Sequence, residues 1–117
     1  MFQIDIDAVR EPQRLTPAVL QVAEMLGMYR AELACVLHLQ CGDIGELTST
    51  RKTLQPETDA WQKAILFVQF FNELCDKQKG DASAMCHWLR CTNLELETTP
   101  LLSMVDNDDL ERVMQAL

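Results

Sequence analysis

The sequence is poor in the residues that interrupt regular structure, with four Gly and four Pro in 117 positions. A turn-rich all-β fold needs more tight reversals than this supplies. It also lacks an unbroken apolar run of about 18 residues, the length a bilayer-spanning helix requires. Its longest such stretch is Ala64-Ile65-Leu66-Phe67-Val68, interrupted by Gln69 before Phe70-Phe71. No membrane partner is therefore expected. Positive charge is scarce: 10 Lys and Arg stand against 18 Asp and Glu, for a formal net charge of −8 and a pI near 4.6. Nucleic acid and anionic lipid are bound largely through neutralised phosphates, so neither is favoured as the main partner. The segment Met1–Asp7 has no basic region followed by an apolar one, and no secretory signal is read there.

Catalytic signatures are equally thin. Gly42-Asp43-Ile44-Gly45 is too short for a phosphate-binding loop and is not followed by Lys-Ser/Thr. His38 and His87 lie on unrelated segments, and nothing local pairs either with a nucleophile. Asp106, Asp108 and Asp109 with Asn107 lack the glycine and the distant glutamate of a calcium loop. The five cysteines are odd in number and contain no CxxC pair, so they read as reduced thiols of a cytoplasmic protein. Cys75, Cys86, His87 and Cys91 could suggest zinc, but adjacent Cys86 and His87 cannot readily face one ion from a helix. The expectation is a non-enzyme with no metal and no cofactor.

What the sequence does contain is helix signal. Thr16-Pro17 reads as an N-cap followed by proline at the first helical position, with Leu20, Ala23, Met25 and Leu26 at helical spacing and Gly27 as a stop. Short helices are expected over 30–38 and 42–50, the second weakened by Gly42 and Gly45. The strongest element runs from Glu57 to about Lys79, with acidic residues in its first turn, lysines in its last and Gly80 beyond. It is apolar on most of its circumference apart from Gln62, Gln69, Glu73 and Asp76, which marks it as the central helix. Asp81, Thr99 and Asp106 read as caps of three further helices, the last presenting Leu110, Val113, Met114 and Leu117 on one face. The predicted fold is all-α: a compact bundle of six or seven helices, divided into an N-terminal arm (1–14), a segment 15–54 and a segment 55–117. Residues 1–54 carry five basic and seven acidic side chains, and 55–117 carry five and eleven, so the excess of negative charge lies in the second half.

Two stretches carry more than periodicity. Glu32-Leu33-Ala34-Cys35-Val36-Leu37-His38-Leu39-Gln40-Cys41-Gly42-Asp43-Ile44-Gly45-Glu46-Leu47 resembles a helix-turn-helix of the Xre/Cro type. The usual turn glycine is here His38, the usual Ser or Thr cap is Gln40, and Asp43 and Glu46 stand in the recognition segment. A second register would place the helix and turn at Val22–Arg30. Downstream, Leu54-Gln55-Pro56-Glu57, the long helix, Ala84-Met85-Cys86-His87-Trp88-Leu89-Arg90, Asn93-Leu94, Pro100-Leu101-Leu102 and Leu110–Leu117 follow in order. That series resembles the C-terminal toxin-binding domain of the Xre/MbcA/ParS antitoxins. Where members of that family carry a glycine or two, this chain has Glu95-Leu96-Glu97-Thr98-Thr99.

The resemblance, which spans about residues 15–117, implies a dimeric bacterial antitoxin. Its C-terminal part would block the active site of a RES-domain toxin, an enzyme that degrades NAD, and its N-terminal helices would bind their own operator. The candidate toxin-binding residues are Trp88, Arg90, Asn93, Pro100, Leu101, Glu111, Gln115 and Leu117. Candidate DNA-binding residues are Gln40, Arg51 and Lys52, with binding expected to be weak because carboxylates repel phosphate. Two other readings stay open: a small helix-turn-helix regulator without a toxin, and an orphan dimerisation module. Trp88 and Trp61 also fit simple core packing.

Overall fold

The computed structural model describes residues 5, 7–8, 10–49 and 52–117, apart from the side chain of Cys41. These residues form an all-α bundle of seven helices. In chain order the helices are α1 (Pro12–Met25), α2 (Arg30–Leu37), α3 (Cys41–Thr48), α4 (Asp59–Lys77), α5 (Ala82–Arg90), α6 (Pro100–Val105) and α7 (Leu110–Gln115). Among the described residues the only β-type pairing is an isolated antiparallel bridge between Asn93 and Thr98.

The longest helix, α4, is the hub, because its apolar residues cover too much of its circumference for one neighbour to bury. It packs against α1, α2, α5 and α7. Phe67, Phe70 and Phe71 are fully enclosed, while Glu73 and Asp76 of the expected wet stripe are exposed. Thr58 caps its start, the hydroxyl accepting from the Trp61 amide at 3.1 Å. The helix ends where Lys79 and Gly80 both adopt positive φ. Helix α2 touches α4 and also α6, so one continuous core joins segments 15–54 and 55–117.

Two of the expected caps are displaced. Helix α1 begins at Pro12, five residues before the expected start, and Pro17 lies inside it. The Thr16 hydroxyl is therefore not a cap. It donates to the Pro12 carbonyl at 2.8 Å and accepts the buried Leu54 amide at 2.9 Å. The helix tolerates Pro17 because Leu15, Ala18, Val19 and Val22 around it are all buried, so tertiary packing offsets the backbone bond that the proline forfeits. Asp106 likewise closes α6, and the residue before α7 is Asp109. Asp81 and Thr99 do cap as expected, accepting from Ala84 N and Leu102 N at 3.1 and 3.2 Å.

Candidate functional site

The candidate toxin-binding residues fall on the end of the molecule built by α5, α6, α7 and the loop 91–99. Trp88 is half-buried, its ring tilted against Phe70 with centroids 6.3 Å apart. Its large ring area serves the core on one side. Arg90 is exposed, but its guanidinium is engaged: Nη2 donates to the Gly27 carbonyl at 2.8 Å and Nη1 to the Cys86 carbonyl at 3.3 Å. It ties α5 to the α1–α2 turn. Pro100 is buried at the first position of α6, and Leu101 is half-buried against the core. The exposed apolar residue of that helix is Leu102. On α7, Leu110 and Val113 face inward while Glu111 and Gln115 face solvent; Met114 and Leu117 are half-buried.

Asn93 organises the loop. Its side-chain oxygen accepts the Glu95 amide at 2.9 Å, and its carbonyl accepts the amides of Leu96 and Glu97 at 3.2 and 2.8 Å. Its own amide donates to Thr98 O at 2.9 Å, closing a small hairpin in which Glu97 takes φ 59°. Arg112 of α7 adds a clamp from outside, Nη2 donating to the Glu95 carbonyl at 2.9 Å. Leu96 points into the core, while Leu94 stands out at 92 % exposure, and Glu95 and Glu97 after it are exposed as well. The loop therefore presents an apolar side chain on a hydrogen-bonded backbone, with the exposed Glu95 and Glu97 following it in the same loop. Leu94 and Leu102 stand in segments the sequence singles out, Asn93-Leu94 and Pro100-Leu101-Leu102, but only the fold shows that they, and not Leu96 or Leu101, are the exposed leucines.

Helices α2 and α3 form the pair expected from the sequence, joined by His38, Leu39 and Gln40. His38 takes the left-handed conformation (φ 59°) that a turn glycine adopts without strain. Gln40 precedes α3, and its amide donates to Asp43 Oδ2 at 3.0 Å. Lys52 pairs with Glu46 at 3.0 Å, a contact that raises its ammonium above the usual lysine range. The carboxylates of Asp43 and Glu46 are thus engaged by the Gln40 amide and by Lys52. Arg51 lies outside the described residues. The alternative register at Val22–Arg30 falls on the end of α1 and the Gly27 turn, where Gly27 has φ 69°.

The same turn brings together a charged cluster that sequence reading missed. His38 contacts Asp59 of α4 through Nδ1 and Asp108 of the α6–α7 loop through Nε2, and Lys63 reaches Asp108 and Glu111. His38 and Asp108 alone are 70 positions apart, so no local pattern announces the cluster. The cysteine–histidine set, by contrast, is dispersed. Cys91 Sγ lies 3.1 Å from His87 Nε2, Cys86 donates to the Met25 carbonyl at 3.6 Å, and Cys75 is buried. Among the described residues no three acidic, cysteine or histidine side chains are placed to hold a metal ion. Nor is any helix among them long and apolar enough to cross a membrane. No protein-family model matches this chain, and no curated protein matches it in sequence.

Proposed function

We propose that this protein is an antitoxin-like binding module that sterically inhibits a RES-domain, NAD-degrading toxin. The observation that carries the reading is the loop 91–99, which holds Leu94 out in solvent on a hydrogen-bonded frame that also exposes Glu95 and Glu97. An ordered loop loses little entropy on docking, and a projecting apolar side chain is the kind of group that anchors an interface. The acidic flank suits a basic cleft of the sort that receives an anionic dinucleotide. Leu102, Leu101, Trp88 and the outer face of α7, with Glu111 and Gln115, extend the surface, and the half-buried Leu117 follows at its edge. The ordered series of motifs along the chain supplies the family to which the reading belongs. In it the protein is a cytoplasmic dimer with no chemistry of its own.

The test is co-expression with a RES-domain toxin encoded in the neighbouring gene, scored by growth, with melting of the purified variants measured in parallel. Wild-type protein should protect cells. Leu94→Asp should abolish protection without lowering the melting temperature, because the side chain touches almost nothing in the free protein. Deleting Gln115–Leu117 should also impair protection while leaving most of the fold. Full protection by both variants would place the contact surface elsewhere. Operator binding is a second reading, favoured by the α2–turn–α3 arrangement with a left-handed residue at its turn; its test is given at the scale of the whole molecule below.

A further inference from the structure

His38 sits where three parts of the chain meet. It closes α2, its Nδ1 contacts Asp59 Oδ2 at the first residue of α4, and its Nε2 lies 2.6 Å from Asp108 Oδ1 in the α6–α7 loop. A neutral imidazole carries one N–H and one lone pair, so it donates to only one of two carboxylates and turns a lone pair toward the other. Only the imidazolium donates to both. The surroundings sharpen the difference. Lys63 Nζ lies 3.8 Å from Asp108 and 3.6 Å from Glu111, with its side chain only 15 % exposed. Protonated His38 and Lys63 together face Asp59, Asp108 and Glu111. Without the His38 proton, Lys63 alone opposes the same three carboxylates.

We propose that His38 is a pH-dependent latch: as the imidazolium it binds the α2–α3 turn to the start of α4 and to the α6–α7 loop, and on losing its ring proton it releases one carboxylate and loosens the α6–α7 corner. The backbone supports this reading independently of charge. His38 holds a left-handed conformation that most residues other than Gly, Asn and Asp adopt at some cost, and that conformation fixes where the ring leaves the end of α2. The ring's environment favours the proton, chiefly through the hydrogen bond to Asp108 and then the contact with Asp59, with partial desolvation working against them; together they raise its pKa above 6.5. A group with a raised folded pKa contributes its full stabilisation below its unfolded value, near 6.5, and loses it as pH rises through the folded value. The latch is thus closed below about pH 6.5 and opens as the pH rises through the folded midpoint, which lies above that value. The side chain is 36 % exposed, so screening keeps the effect local to this corner. Because α7 starts two residues after Asp108, the latch links the geometry of the α2–α3 turn to that of Glu111 and the α7 surface.

Ring and amide nuclear magnetic resonance of the full chain across pH 5.5–9 tests this. The protein has two histidines, and His87→Gln identifies the His38 signals. The His38 midpoint should lie above 6.5, and Asp108→Asn and Asp59→Asn should each move it down. The amides of residues 106–111 should shift with that same midpoint in the wild type and cease to do so in His38→Asn, a variant whose side chain tolerates the left-handed backbone. A midpoint at or below 6.5, or amides at 106–111 that ignore it, would overturn the latch. His38→Gly provides a second measure, since it relieves the backbone and removes the ring. Below the midpoint the wild type should melt higher than His38→Gly, and above it the gap should close or reverse. A gap that stays constant with pH sinks the proposal.

Discussion

Single atoms carry much of the specificity in this small core. The Thr16 hydroxyl both donates to its own helix and accepts the Leu54 amide, which joins α1 to the segment entering α4. No buried side-chain nitrogen or oxygen among the described residues lacks a partner. Replacing Thr16 with Val keeps the shape but leaves the Leu54 N–H buried and unpaired. The expected cost is about 1–3 kcal/mol, measured by urea unfolding; an unchanged midpoint would mean that water reaches this amide. Leu94 is the opposite case, a large side chain with almost no role in the free protein, so its substitutions report on binding rather than folding. Arg90 shows why exposure alone does not identify a contact residue. It is accessible, yet its guanidinium is committed to the Gly27 and Cys86 carbonyls.

At the scale of the helix, three prolines fall into two classes. Pro100 and Pro12 occupy the opening positions of α6 and α1, where a missing N–H is no loss. Pro17 lies in the interior of α1, is solvent-exposed, and denies a hydrogen bond to the preceding turn. Its ring also restricts the unfolded chain, which partly compensates. Replacing Pro17 with Ala should therefore stabilise the protein, by about 1–2 kcal/mol. A rise in melting temperature by circular dichroism is the expected result, and a fall would show that the ring packs against the groove beside Leu47 and Thr48. The short helices α2, α3, α6 and α7 have six to eight residues each. Isolated helices of that length are marginal in water, so their stability comes from burying faces against α4 and one another.

The whole molecule is acidic, and its charge is unevenly distributed. A net −8 chain must neutralise phosphate against its own field, and the α2–α3 unit gains little help from Lys52, whose charge is shared with Glu46. Duplex DNA should accordingly bind weakly, without sequence preference, and with affinity that falls steeply with salt. Fluorescence anisotropy against the upstream region of its own gene provides the check. Sub-micromolar, sequence-specific binding at physiological salt would show that a dimer assembles a basic face from Arg14, Arg30 and Lys52. The contacts of His38 with Asp59 and Asp108 join the α2–α3 turn to α4 and the α6–α7 loop in the same molecule, over one continuous core.

The all-α fold, the central helix and the caps at Asp81 and Thr99 are readable in the sequence. They depend on spacing and composition within one or two turns, and local backbone chemistry repeats wherever those patterns occur. The turn at His38 is suggested only by the resemblance to a helix-turn-helix, since local spacing runs the helix through residue 38 and the structure ends it at Leu37. Tertiary structure alone decided the start of α1. Pro12 and Pro17 are both acceptable openings locally, and burial of Leu15 and Thr16 selects the earlier one. It also decided that Leu96 turns inward and Leu94 outward, because the hydrogen bonds to Asn93 and the Arg112 clamp set the loop's path. The His38 cluster belongs to that second class as well. Its members are scattered from position 38 to 111, and a charge has no meaning as a partner until the fold brings the opposite one within reach.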